Sequence, residues 1–156
     1  MHADKFQPSL KRVMFVSQRQ AEGMHLPRTT ALISITDPAR QSAKIGGGWH
    51  SILRVTFDDV DPVTFPGQDG QMRAISSQEV AVIAAFVAEH IQSCRRLVVH
   101  CRHGVSRSAA VAKAIAEVCD APFPADYEEF NQFVYLVLRG PLMVALDQAR
   151  LAQQQE

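Results

Sequence analysis

Apolar residues in the first half of this chain fall in short runs, and only later do they spread into longer periodic stretches. Val13 to Val16 is a short apolar run, Ala31 to Thr36 is rich in β-branched residues and closes at Asp37-Pro38, and Ile52 to Phe57 follows the breaker Gly46-Gly47-Gly48. Runs of this length between breakers predict strands. Ser76 with Glu79 three residues on is a capping-box pattern, and Val80, Ile83, Ala84, Val87 and Ile91 then share one helical face, predicting a helix that ends near Cys94. Leu97 to Val99 leads into His100 and reads as a strand buried on both faces. From Arg107 the pattern is helical again, with Val111, Ile115 and Val118 along one face, until Asp120 to Pro124 breaks it. Two further helices are predicted, about Ala125 to Leu138 and Pro141 to Ala152, with Gly140 ending the first and Pro141 starting the second. The order predicts an α/β fold, a small, mostly parallel central sheet flanked by helices, whose ligands bind beyond the carboxyl ends of the strands.

Composition narrows the class. A chain of 156 residues with 47% hydrophobic content, no internal repeat and no dividing linker predicts one domain over about residues 1–152, with Gln153 to Glu156 as a frayed tail. Sixteen basic residues balance sixteen acidic ones, so there is no cationic excess to draw the chain onto a nucleic acid or an anionic membrane. The longest apolar stretch, Val80 to Ala88, is nine residues, against the roughly 20 that cross a bilayer. Met1 to Leu10 carries Asp4, Lys5 and Gln7 and lacks the apolar centre of a secretory signal. Cys94, Cys101 and Cys119 form no disulfide framework and suit a reducing compartment, so a cytoplasmic location is expected.

The chemistry concentrates after Val99, where the chain reads His100-Cys101-Arg102-His103-Gly104-Val105-Ser106-Arg107-Ser108. A short loop from a buried strand into a helix N-terminus can turn successive N–H groups inward, and Gly104 permits the backbone conformations such a nest needs. The helix adds unpaired N–H groups and its positive dipole end, and Arg107 can grip two oxygens of a tetrahedral anion with a planar fork that lysine lacks. The same positive surroundings favour the ionised sulfur of Cys101, a nucleophile facing any phosphorus held in the nest.

His-Cys-x-x-Gly-x-x-Arg-Ser resembles the signature loop of the cysteine-dependent protein tyrosine phosphatase superfamily, nearest its compact dual-specificity-like members. Five fixed residue types at fixed spacing, placed between a predicted strand and helix, make a chance match rare. Outside the loop the resemblance lies in element order and covers most of the chain. It implies a phosphatase-like α/β fold and a metal-independent, cofactor-free hydrolase in which Cys101 forms a cysteinyl-phosphate. It assigns the equatorial oxygens to Arg107 and the N–H groups of Arg102, His103, Gly104, Val105 and Ser106. Ser108 matches the hydroxyl that helps the thiolate leave, and His100 the residue that orients the loop.

The resemblance also implies a general acid, an Asp on a loop before the long helix. The strand ending at Phe57 runs into Asp58 and Asp59, and strand matching favours Asp59. Asp59 lies 42 residues before Cys101, because Val60 to Arg73 reads as an insertion; Asp69, 32 residues before, fits the family spacing better, and Asp58 and Asp61 remain alternatives.

Other groupings read more plainly. His100, Cys101 and His103 lack the second cluster of a structural zinc site. Cys94 and Cys119 fall at helix ends and read as structural thiols, unless one can bridge to Cys101. Gly46 to Gly48 lacks the Lys-Ser/Thr of a phosphate loop. Trp49 and His50 beside it are candidates for the cleft wall. The expected substrate is a phosphorylated protein, phosphotyrosine first, with neither nucleic acid nor membrane as partner. RNA 5′-triphosphatase, phosphoinositide phosphatase and a non-catalytic phospho-binding module are the alternatives.

Overall fold

A computed structural model of the chain describes residues 9–25, 28–67 and 72–154. The described elements are β1 (Arg12–Ser17), α1 (Gln18–Glu22), β2 (Thr30–Thr36), β3 (Ser51–Thr56), α2 (Ser77–His90), β4 (Arg96–Cys101), α3 (Arg107–Val118) and α4 (Gln132–Gln154). The strands form one sheet in the order β1-β4-β2-β3, and all three pairings are parallel. The chain is therefore α/β with an all-parallel sheet flanked by helices. Among the described residues no helix is long and apolar enough to cross a membrane.

Strand side chains alternate between faces, and here the two faces differ in thickness. Val13 and Phe15 of β1, Ala31, Ile33 and Ile35 of β2, Leu53 and Val55 of β3, and Leu97, Val99 and Cys101 of β4 all join the main core with α2, α3 and α4. The alternate residues Met14, Val16, Leu32 and Val98 meet a small cluster made by Ala21, Met24, Ile45 and Trp49. Three helices thus cover one face, while α1 and the segment between β2 and β3 cover the other. This placement also accounts for Trp49, which packs in that cluster, and for His50, whose Nε2 bonds Ser93 Oγ at 3.0 Å. Its backbone N–H meets Thr30 O, at the amino end of the strands and away from any cleft beyond Val99.

Two expectations require correction. The predicted helices Ala125–Leu138 and Pro141–Ala152 are one helix, α4, with Pro141 inside it, and residues 125–131 are not helical. Its start is set by capping: Asn131 Oδ1 accepts from Val134 N (2.9 Å), and Asp61 accepts from Gln132 N (2.9 Å) and Phe133 N (3.3 Å). An interior proline forfeits a backbone hydrogen bond at about 3 kcal/mol. Burial of Val134, Leu138, Leu142 and Leu146 against α2 and α3, at about 2 kcal/mol each, outweighs that cost and keeps the helix continuous. The chain is also still helical at Gln153, whose Oε1 accepts from Gln92 Nε2 (3.0 Å), while residues 155–156 lie outside the described residues. One element was not anticipated: α1, capped by Ser17 and Gln20 in a capping box.

Candidate active site

β4 ends at Cys101 and α3 begins at Arg107, so residues 102–106 must reverse the chain within one short loop. Gly104 adopts φ +72, and a Cβ there would collide with Ser17 N and the Val16 carbonyl group at the end of β1. Only glycine meets both demands, a left-handed backbone and contact with a neighbouring strand. The loop carbonyls are taken from outside: Arg102 O accepts from Gln18 N (3.3 Å), Val105 O from Tyr127 Oη–H (2.5 Å), and Ser106 O from Asn131 N (3.1 Å). The loop N–H groups take no part in these bonds. Ser106 stands at the N-cap of α3 without a side-chain capping bond, so that helix start has no side-chain acceptor of its own from the cap residue. The walls are fixed in turn. Tyr127 packs on Phe15 and Phe123, and Lys113 lies 5.3 to 5.4 Å from the ring centres of Phe123, Phe130 and Tyr135.

Cys101 Sγ and Ser108 Oγ are hydrogen-bonded at 3.1 Å, both buried. Arg107 is 5% exposed; its Nη1 donates to Phe57 O (2.7 Å) and meets Asp37 Oδ1 (2.7 Å), while its buried Nε has no partner. An unsatisfied buried guanidinium N–H is costly, and here it belongs to the residue type best suited to an oxyanion. His100 points to the opposite face from Cys101. There it meets Ser34, its register partner on β2, with Nε2 2.6 Å from Ser34 Oγ. Nδ1 lies 3.4 Å from Cys101 O, so a proton on Nδ1 leaves Nε2 to accept from the serine. Burial pushes the His100 pKa down, which favours this neutral ring.

Three of the four candidate acids lie among the described residues, and they separate in space. Asp59 Oδ1 accepts from Ser106 Oγ (2.9 Å) and Asn131 Nδ2 (2.9 Å), placing its carboxyl against the loop that follows Cys101. Asp58 is turned to Arg73, whose N–H it accepts at 2.8 Å. Asp61 is buried and accepts from Val63, Thr64 (N–H and hydroxyl), Gln132 and Phe133. Burial raises its pKa, but the Thr64 hydroxyl and the backbone N–H groups outweigh burial and hold it below the usual carboxylate value. Asp61 is thus an anchor for α4. Asp69 lies outside the described residues.

Cys94 precedes β4 and Cys119 follows α3, so both sit at the other end of the sheet. The length of β4 puts roughly 20 Å between Cys94 and Cys101, far beyond disulfide reach. All three thiols are free. Among the described residues, no three His, Cys, Asp or Glu side chains converge as a metal site.

Sequence reading missed Asp37, Ser34 and Asn131. Each contacts a site residue far away in the chain, and only Asp37 left a local signal, as an acid closing a strand at the sheet's carboxyl edge. Beside the loop, Asp59, Ser106, Val105, Phe65, Phe130, Glu128 and Glu129 border a cleft of about 470 Å³. No lysine or arginine lines it among the described residues. The arrangement can hold an oxyanion against a sulfur nucleophile, with a carboxyl group at the rim. No protein-family model matches this chain, and no curated protein matches it.

Proposed function

We propose that this protein is a metal-independent phosphomonoesterase of the cysteine-dependent kind, acting on phosphorylated protein side chains and on phosphotyrosine first. One observation carries the reading: the β4–α3 junction brings Cys101, bonded to Ser108, together with an Arg107 whose buried Nε is unpartnered, while Asp59 is tied to the same loop. In this reaction the phosphate sits in the loop with its oxygens on the N–H groups of residues 102–107 and on Arg107. The Cys101 thiolate attacks phosphorus as the bond to the leaving oxygen breaks, and Asp59 gives that oxygen its proton. Water then displaces the sulfur, with Asp59 taking the water's proton and the Ser108 hydroxyl donating a hydrogen bond to the departing thiolate. The transition state spreads charge over three equatorial oxygens, so fixed donors supply most of the rate.

The cleft bordering the loop supports a phosphoprotein over a polyphosphorylated substrate. Glu128 and Glu129 would repel the extra phosphates of a 5′-triphosphorylated RNA or a phosphoinositide, while Phe65 and Phe130 offer apolar surface to a peptide. A purely phospho-binding module has no use for the Cys101–Ser108 pair. Three unbridged cysteines favour a reducing compartment such as the cytoplasm. Hydrolysis of para-nitrophenyl phosphate without added metal, abolished in Cys101→Ser, tests the chemistry. Phosphopeptides set against inositol phosphates and triphosphorylated RNA test the substrate; turnover retained by Cys101→Ser overturns the mechanism.

A further inference from the structure

Asn131 is 1% exposed and every one of its polar groups is engaged. Its Nδ2 donates to Asp59 Oδ1 (2.9 Å) and Val60 O (3.0 Å), and its Oδ1 accepts from Val134 N (2.9 Å) at the start of α4. Its backbone N–H donates to Ser106 O (3.1 Å) and its backbone carbonyl accepts from Tyr135 N (3.2 Å). One residue therefore joins the acid segment and the last helix through its side chain, and the phosphate loop through its backbone N–H.

The consequence lies in the two oxygens of Asp59. Oδ1 already accepts from Ser106 Oγ and Asn131 Nδ2, which fills its two lone-pair positions. A carboxylic acid with Oδ1 so occupied carries its proton on Oδ2. The Ser106 hydroxyl can rotate away, whereas the Asn131 amide is locked by its other bonds.

We propose that Asn131 is the positioning residue for the general acid: by pinning Oδ1 it presents Oδ2–H to the leaving oxygen of the phosphoester. This deepens the phosphatase reading and rests on it. In the first step the Oδ2–H bond breaks and the product hydroxyl O–H forms; in the second, a proton from water returns to Oδ2. Asn131 itself neither gives nor takes a proton.

A purely structural Asn131 would only cap α4, and the test separates the two roles. Asn131→Ser keeps a good capping oxygen but is too short to reach Asp59, and Asn131→Ala serves as the second variant. Full-length wild type and variants are compared on phenyl phosphate, whose leaving group needs a proton, and on para-nitrophenyl phosphate, whose leaving group needs it far less. Expected for Asn131→Ser is a fall in kcat of about tenfold or more on phenyl phosphate, less than about threefold on para-nitrophenyl phosphate, with KM within about twofold on both. In an Asp59→Asn background the same change should cost nothing further, since both act through one proton. Equal losses on the two esters, or an undiminished loss in the Asp59→Asn background, overturn the proposal. An Asp59→Asn rate unchanged on phenyl phosphate overturns it too, and Cys101→Ser then reports separately on the phosphatase reading.

Discussion

Helix α3 has a buried cysteine near each end, and the two are in opposite circumstances. Cys119 is the C-cap, 9% exposed, and burial with the nearby Cys94 thiol pushes its pKa up to about 12. Cys101 is 3% exposed, but it adjoins the N-terminal side of the helix and has the Ser108 hydroxyl at 3.1 Å and the Arg107 guanidinium in the same turn. What distinguishes Cys101 is the polarity of the peptide dipoles behind it and a cation with a donor left over. The same contrast holds for the glycines. Gly104 is wedged against Ser17 and Val16, while Gly140 in α4 has no side-chain or strand neighbour within 4 Å of a Cβ position.

The largest effect that bears on this contrast is removal of the proposed nucleophile. Cys101→Ser should lower kcat for para-nitrophenyl phosphate by at least about a thousandfold, while Cys119→Ser leaves it within about twofold. Comparable losses would mean that the two thiols are not functionally distinct. Next comes the cation: Arg107→Lys keeps the charge but loses the planar fork, and should lower kcat by about a hundredfold or more in steady-state assays. Retained turnover would show that charge alone suffices. Gly104→Ala should cost about 3 kcal/mol in urea unfolding, from a strained left-handed alanine and a steric clash, whereas Gly140→Ala should gain up to about 1 kcal/mol. If both are neutral, the loop is not held as tightly against β1 as the geometry requires.

The smallest effect concerns His100, which lies behind the cysteine. Its folded pKa is below the free value of 6.5, so just below that pH the native state binds fewer protons than the unfolded chain. Its contribution to stability is complete above about pH 6.5 and is lost as the pH falls toward the folded value, at up to about 1.4 kcal/mol per pH unit. Urea midpoints measured from pH 7.5 to 5 should show this slope, and His100→Asn should flatten it. A slope unchanged by that substitution would assign the effect to other groups.

Much of the architecture is written in local pattern. The four strands, α2 and α3 follow from short apolar runs, breakers and capping signals, because those act over a few residues. The α1 helix escaped because five residues are too few to show a period, although Ser17 and Gln20 carry a capping box. The break predicted at Gly140-Pro141 failed for the opposite reason: local cost lost to burial of a continuous apolar face.

By itself the sequence determined which loop holds the cysteine, the arginine and the glycine, since all three lie within seven consecutive residues and their spacing is their geometry. Only the tertiary structure decided which aspartate meets that loop. It alone brought Asp37 to Arg107, Ser34 to His100 and Asn131 to Asp59. The physical reason is the parallel sheet. Its long crossovers set remote strand ends side by side, so separation along the chain carries no information about separation in space.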